Sequence, residues 1–371
     1  MDGGTGTFVQ NLLRLPQYYS ADNLTIKIVA LEKPAYRDTR NIKTAIYLRR
    51  SSFYPNKYFV NFKNTLSFIS EVFFMKREIH KHKPSILLSI DIHCNLIALI
   101  NKLFFYPSLK VVINNRINLK DTLRAKSSHF LYVLLKAAVK HIYGFADAII
   151  AVSQGVRDDL YQTFKIRKNI HVIFNGISLD KDNKAPRVNK KNILLTIGRF
   201  DEQKDYETLI KSFAVVQKIV NNCKLIIVGN GQQKEHIHKI VSSLGLQKHI
   251  DIWDWTNNTQ KYYNRADIFV FSSFREGFPN VLLEAMNNGL PIISTDTPYG
   301  PSEILEQNKY GTLVPVGDIK AMSHAIYQLF FDKKEYEYYS QQTTKRVKEF
   351  SLEKMLNSYF LLFKGLVKAN Q

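Results

Sequence analysis

Two glutamates stand seven residues apart in Arg275-Glu-Gly-Phe-Pro-Asn-Val-Leu-Leu-Glu-Ala285. An apolar run at 268–271 precedes them, and a helical pattern at 281–288 follows. Pro279 suits the first turn of that helix, and Gly277 lets backbone come close to a ligand. The free amides of a helix start, with the macrodipole behind them, attract an anion. Glu276 falls in the loop and Glu284 in the second helical turn. Their different heights suit contacts to different parts of one elongated ligand, not a general acid/base pair. The plain alternative is a solvated loop acid and a surface helical acid.

A second cluster is Ile197-Gly-Arg-Phe-Asp-Glu-Gln-Lys-Asp205. Gly198 ends a strand pattern. Arg199 and Lys204 lie across the turn to the next helix, in what reads as an exposed loop. There they could clamp a diphosphate, Arg through its planar fork and Lys as a point charge, or be solvated cations. Val228-Gly-Asn-Gly231 is another strand-to-helix turn, in which Gly229 and Gly231 permit a tight bend; it lacks the third glycine of GxGxxG. Among metal ligands, the lone Asp-x-Asp is Asp180-Lys-Asp182, in a polar stretch away from any strand end, so no metal is expected. Cys94 and Cys223 are isolated and suggest neither zinc nor a disulfide. Trp253 and Trp255 could line a base pocket, but read better as core.

These clusters need strands that end in loops, and the chain supplies them in two sets. In the first half, apolar runs at 25–31, 85–90, 109–113, 148–152 and 170–174 alternate with helical patterns at 59–82, 95–105, 127–143 and 154–164. After a polar stretch at 181–191 the alternation restarts. Strands are expected at 192–197, 224–228, 250–253, 268–271, 291–294 and 312–314. Helices are expected at 206–220, 232–244, 259–264, 281–288, 319–331 and 334–350, with an amphipathic helix at 352–367 after all the strands. Buried-type strands alternating with helices imply a doubly wound α/β fold with parallel sheets. The expected domains are 1–180, with 352–371 packed back on it, and 192–351, joined by a linker at 181–191. Ligands of two such domains bind in the cleft at the carboxyl ends of their strands.

The length of 371 residues suits two cores, and the composition, 45% apolar and 23% charged, is that of a globular protein. No run approaches a membrane span, and the start lacks the pattern of a signal peptide, so a cytoplasmic protein is expected. The net charge of +20 calls for an anionic partner. Residues 1–185 carry +15 of it, with cations such as Lys76, Arg77, Lys81 and Lys83 interleaved with Phe73 and Phe74. Docking of that half on an anionic membrane surface is therefore expected. A nucleic-acid-binding protein is the rival from another class, but no helix-turn-helix, zinc-finger or RNP motif is present.

The ordered motifs Gly198-Arg199…Lys204, Gly229-Asn-Gly231 and Glu276-Gly-Phe-Pro-Asn-Val-Leu-Leu-Glu284-Ala resemble the retaining glycosyltransferases of family 4, also called glycosyl transferases group 1. Gly289-Leu-Pro-Ile-Ile-Ser-Thr-Asp296, Gly311-Thr-Leu-Val-Pro-Val-Gly-Asp318, Val152-Ser-Gln-Gly-Val156 and Asn175-Gly-Ile177 extend the resemblance over nearly the whole chain. It implies two Rossmann-like domains, the GT-B fold, and a nucleotide-sugar donor, with UDP as nucleotide. It also implies a glycan or lipid-linked acceptor, no cofactor and no nucleic-acid partner.

The roles it implies are residue by residue. Arg199 and Lys204 hold the diphosphate, Glu284 the ribose, and Glu276 the sugar hydroxyls. Backbone at Gly198, Gly229, Gly277, Phe278, Asn280 and Val281 approaches the donor. His93, after the strand ending at Ile90, stands near the donor sugar, with Asn95 competing for that place. Apart from the resemblance, Arg116 follows the next strand and could meet acceptor or phosphate. Gly3 and Gly4 resemble the family's glycine pair after its first strand. That strand has no counterpart before Met1-Asp2, so a sheet lacking its first strand is expected, through a mis-set start or a truncated copy. An epimerase or phosphorylase-like enzyme of the same fold is the alternative.

Overall fold

The structure, a computed structural model, describes residues 4–19, 28–30, 45–47, 62–126, 129–167, 169–179 and 191–368. The chain divides into two compact units, residues 1–175 with 355–371, and residues 176–354. The polar stretch expected as a linker, Asp180-Lys-Asp182 included, lies outside the described residues except for Lys191.

In the first unit, β1 (Ile28–Ala30) and β2 (Ala45–Tyr47) form a parallel pair by themselves. The main sheet is β3 (Ile86–Ile90), β4 (Lys110–Asn115), β5 (Ala148–Ala151) and β6 (Ile170–Val172), in that order and all parallel. The run at 25–31, expected in the main sheet, is therefore the short β1 of the separate pair. The helices Phe62–His82, Ile92–Phe104 and Gln154–Phe164 match expected patterns. Gly4–Leu12, Leu15–Tyr18 and Leu119–Lys126 are helices that the apolar spacing does not reveal. All of β5 is buried, as a strand covered on both faces must be. The terminal helix Leu352–Lys368 joins this unit from Met355 onward. Tyr359, 1% exposed, accepts a hydrogen bond from Asn114 (2.7 Å) and packs on Phe8, while Phe360 stacks on Tyr19 at 3.9 Å.

The second unit is a six-stranded parallel sheet. Its strands are β7 (Ile193–Ile197), β8 (Lys224–Gly229), β9 (Ile250–Asp254), β10 (Ile268–Phe271), β11 (Ile292–Thr295) and β12 (Thr312–Val314). They stand in the order β12-β11-β10-β7-β8-β9. The chain builds one way from β7 to β9, then returns to lay β10 on the other side of β7. The order thus reverses between β7 and β10. Side-chain caps start several helices: Asp205 accepts from Thr208 N–H, Asp318 from Ala321 N–H and Asp332 from Glu335 N–H. Leu194, Phe213, Leu225, Ile227, Val270 and Ile326, each fully buried, belong to one core. Each such side chain contributes about 1.5–3 kcal/mol by leaving water. The pattern at 334–350 is two elements, Lys333–Arg346 and a 3-10 turn Val347–Phe350.

Candidate functional site

In the second unit the loops after β7 and β10 lie side by side at the point where strand order reverses. In an open α/β sheet a ligand crevice forms at that point. Short polar contacts tie the two loops together. Gln203 donates to the Arg275 carbonyl (2.7 Å), Phe274 N–H donates to the Gln203 carbonyl (2.8 Å), and Ser272 Oγ donates to the Lys204 carbonyl (2.8 Å). Lys204 Nζ sits 2.6 Å from Glu276 Oε1 and over the Phe271 ring at 4.8 Å. Two candidate residues from different motifs thus form one ion pair.

The expectation that Lys204 stands in an exposed turn is corrected: its side chain is 14% exposed and that of Glu276 is 10%. The loop contacts bury the stem of Lys204 while its ammonium finds a carboxylate. Arg199 does stand in the open, 52% exposed, paired with Asp201 at 3.0 Å.

The loop after β8 closes against the same place. Phe200 N–H donates to the Asn230 carbonyl, and Gln233 N–H to the Phe200 carbonyl, each at 2.8 Å. A Cβ on Gly229 would fall 1.9 Å from the Gly198 carbonyl, and one on Gly231 (φ +152°) 2.4 Å from the Phe200 carbonyl. These glycines let one loop lie directly on another, which is stronger than the tight bend read from the sequence. A Cβ on Gly198 would approach the Tyr206 hydroxyl at 3.1 Å. Beside Gly277, Gly300 (φ +86°) plays the same part: its Cβ would meet Pro279 Cδ at 2.8 Å and the Gly277 carbonyl at 3.0 Å.

The helix Asn280–Asn287 starts from Pro279 at its N-cap and carries Glu284 in its second turn. Phe278 is buried edge-on against Phe350, while Asn280 and Val281 are half-buried. Glu284 is not a surface acid; it is half-buried and accepts a hydrogen bond from Tyr263 Oη at 2.9 Å. Burial raises its carboxyl above the ordinary 4.5, against the lowering effect of that hydrogen bond. Burial likewise holds the Tyr263 hydroxyl well above its usual value. Trp253 and Trp255, read as core, are instead exposed, 45% and 39%. They flank Asp254 at the carboxyl end of β9, where Lys234 pairs with Asp254 at 2.6 Å.

The first unit places its candidates differently. His93 is the second residue of the helix Ile92–Phe104, and its Nε2 is paired with Glu71 on the preceding helix. Asn95 is fully buried among Ser89 and Tyr143, hydrogen bonded to both hydroxyls, which excludes it from the place of His93. Arg116 is 8% exposed, donates to Asn175 Oδ1 (3.1 Å) and lies 4.2 Å over the Phe8 ring. Burial lowers its pKa, and Tyr359 and Asp91 act against that. Gly4 opens the first helix, and Gly3 lies outside the described residues.

Four participants escaped the sequence reading: Gln203, Tyr263, Glu71 and Asp91. Only Asp91 left a signal, an acid directly after a strand. It holds φ 70°, ψ 153°, a conformation rare outside glycine that costs about 1–3 kcal/mol. Among the described residues no cluster of three metal-ligating side chains occurs.

Two parallel-sheet units in one chain, one with its loops gathered at the reversal of strand order, define a GT-B type glycosyltransferase architecture. The model described as Glycosyltransferase Family 4 matches residues 3–181, and that described as Glycosyl transferases group 1 matches 178–346. Between them they span both units, and the chain belongs to this glycosyltransferase family.

An uncharacterized glycosyltransferase of Methanocaldococcus jannaschii is 29% identical over 338 residues, 78% of this chain and 81% of the relative. The N-acetylgalactosamine-N,N'-diacetylbacillosaminyl-diphospho-undecaprenol 4-alpha-N-acetylgalactosaminyltransferase of Campylobacter jejuni is 27% identical over 265 residues, covering 70% of this chain and 71% of its own. Among solved structures, Anabaena HepE in complex with UDP and glucose superposes with a TM-score of 0.77 at 15% identity, covering 98% of each chain.

Proposed function

We propose that the protein is a retaining glycosyltransferase. It moves a hexose or N-acetylhexosamine from a UDP-linked donor to a glycan or lipid-linked acceptor. The product belongs to cell-surface polysaccharide, lipopolysaccharide or glycoprotein glycan biosynthesis. The observation that carries this reading is the joining of Arg199, Lys204 and Glu276 on two tied loops beside the start of the helix Asn280–Asn287. The Campylobacter relative, named for an undecaprenol-diphosphate acceptor, supports a lipid-linked acceptor, and the UDP complex of the Anabaena protein supports the nucleotide.

The chemistry follows from the groups present. Breaking the bond between sugar and phosphate leaves charge on the diphosphate. Arg199 offers its exposed fork to that charge and Lys204 its ammonium. An ammonium has three N–H donors. Lys204 therefore keeps Glu276 and still donates to a phosphate oxygen. That holds the Glu276 carboxylate in place to accept from the sugar hydroxyls. Glu284, already positioned by Tyr263, accepts from the ribose. Backbone at Gly198, Gly229, Gly277, Phe278, Asn280 and Val281 lies alongside the donor. His93 acts at the sugar through Nδ1, its other ring nitrogen being engaged by Glu71. No metal is needed where cations and a helix start meet the leaving charge.

The protein works at the cytoplasmic side of an anionic membrane and does not bind nucleic acid. A panel of nucleotide sugars scored by thermal shift tests the donor, since a ligand at about 100 times its Kd stabilises by about 2.7 kcal/mol. The expected hit is a UDP-sugar, with UDP released only when an acceptor is added, and with EDTA present. No shift with any nucleotide sugar overturns the reading. The product's anomeric configuration, read by NMR, decides retention.

A further inference from the structure

On the first unit, the helix Phe62–His82 and the end of Ile92–Phe104 expose apolar side chains to water. Phe104 is 74% exposed, more than any other large apolar side chain among the described residues, Phe73 is 55% and Ile69 45%. Phe73 and Phe105 have their ring centroids 6.0 Å apart, and Lys76 Nζ stands over both, 4.1 Å from that of Phe105. Residues 69, 73, 77 and 80 repeat at three to four positions and form one stripe. From 69 to 110 the exposed residues include Arg77, Lys81 and Lys83, and none is an acid; Glu71 and Glu78 are buried.

The stripe runs into a cavity of about 530 Å³ lined by Ile79, His80, Lys83, Tyr106 and Lys110 among others. Tyr106 joins the two features, because its hydroxyl donates to the Lys76 carbonyl at 2.9 Å. Pro84, Ser85, Ser108 and Leu109, also at the cavity, precede β3 and β4. The cavity therefore sits at the amino ends of these strands, opposite Asp91, His93 and Arg116. No ion pair among the described residues occupies His80, Lys81 or Lys83, while Lys110 shares Asp147 with Lys102.

We infer that this face docks on an anionic lipid bilayer. Phe73, Phe104 and Ile69 enter the interfacial layer, and the cavity takes an anionic lipid headgroup between Lys83, Lys110 and His80. Exposed aromatics beside cations, without acids, match an interface that is apolar within and negative at its surface. A cavity lined by Lys83, Lys110 and His80 together with Ile79 and Tyr106 matches a phosphate that carries an acyl chain. The inference goes beyond the proposed reaction: it assigns this unit a bilayer contact at the strand ends opposite His93 and Arg116, and rests on that reading only for the side of the membrane.

The test is flotation of the full chain with vesicles of phosphatidylcholine alone and of equal parts phosphatidylcholine and phosphatidylglycerol. Binding to the anionic vesicles alone, weakening as salt rises, is expected. Phe73→Ser with Phe104→Ser, and separately Arg77→Glu with Lys83→Glu, should each lower the bound fraction about tenfold. Circular dichroism and the thermal shift with UDP should match wild type, since those side chains are exposed and UDP is read by the other unit. Wild-type protein that ignores anionic vesicles at low salt overturns the inference. So do variants that float as well as wild type, binding of soluble glycerol phosphate without vesicle binding, or a self-associated dimer that only the phenylalanine variants abolish. Loss of the UDP shift with flotation intact overturns the donor reading instead.

Discussion

The two units share an architecture but use their loops in opposite ways. In the second, the loops after β7, β8 and β10 press on one another so closely that glycine is required where they meet. The side chains proposed to meet the donor, Lys204, Glu276 and Glu284, are held by protein partners. In the first, Arg116 and Asn95 are absorbed into packing. The side chains left over lie on the outside, as apolar and basic groups on two helices. A site whose side chains are already held by protein partners binds a charged ligand with little reorganisation of its own. A bilayer has no fixed shape to enclose, and an exposed apolar and basic face is enough to meet one. The difference between the units is thus one between a built site and a presented face.

Gly229→Ala should have the largest effect. Its methyl would land on the Gly198 carbonyl and the Phe200 ring, so backbone must shift. Overpacking of this kind costs about 1–3 kcal/mol and should lower Tm by roughly 3–10 °C. Turnover should fall at least about a hundredfold, because a displaced loop moves Arg199 and Lys204 off the diphosphate. A melt and a UDP-release assay check both. Wild-type behaviour would mean that the loops are looser than the geometry states.

Next comes the ion pair. Lys204→Ala should lower turnover about a hundredfold through lost charge stabilisation. It should also cost about 1–3 kcal/mol of stability, since it leaves a mostly buried Glu276 carboxylate without its cation. Lys204→Ala with Glu276→Ala should be more stable than the sum of the single changes, which a double-mutant cycle measures. Arg199→Ala, in the open, should change stability by less than about 0.5 kcal/mol while still slowing turnover. Equal stability losses for Arg199→Ala and Lys204→Ala would sink the distinction.

Much of this was legible in the residues. Continuous apolar runs such as Ile193-Leu-Leu-Thr-Ile197 and Ile268-Phe-Val-Phe271 marked buried parallel strands, because both faces of such a strand need apolar cover. Glu276, Glu284, Arg199 and Lys204 stood in loops or helix starts after those strands. Their mutual arrangement was not legible. The pairing of Lys204 with Glu276 joins residues 72 positions apart, and only the reversal of strand order brings them together. Trp253 and Trp255 misled because size and hydrophobicity suggest core, whereas the end of a strand leaves both half in water. The short helices near the start were hidden by weak periodicity, as in Gly4-Thr-Gly-Thr, which is poor in helix formers.

A smaller effect separates the two glutamates. Burial raises the carboxyl pKa of Glu284 in the fold, so between the unfolded and folded values the folded chain binds more protons. Stability therefore falls as pH rises through that window, and ionised Glu284 is a net cost above it. Glu284→Gln should raise Tm at pH 7, with the gain fading toward pH 4. It should also weaken UDP roughly ten- to a hundredfold, by loss of a charged acceptor. Glu276→Ala should leave UDP affinity near wild type and damage transfer. Calorimetry that finds equal UDP losses would merge the two roles.

The smallest effect tests the other side of the comparison, that the first unit tolerates change where the second does not. Gly365 lies in the terminal helix Leu352–Lys368, and a Cβ there would meet nothing within 4 Å. Alanine in a helix interior is favoured over glycine by about 0.5–1 kcal/mol, because glycine gives up more backbone freedom on folding. Gly365 stands three residues from the end of the described helix, so fraying returns part of that gain. Gly365→Ala should therefore raise Tm by roughly 1–2 °C and leave both UDP binding and turnover unchanged. The same methyl added at Gly229 has the opposite sign, and a thermal melt of the two variants side by side measures the contrast directly. A destabilised Gly365→Ala would show that this stretch of the helix is covered by something after all, and that the first unit is as tightly built as the second.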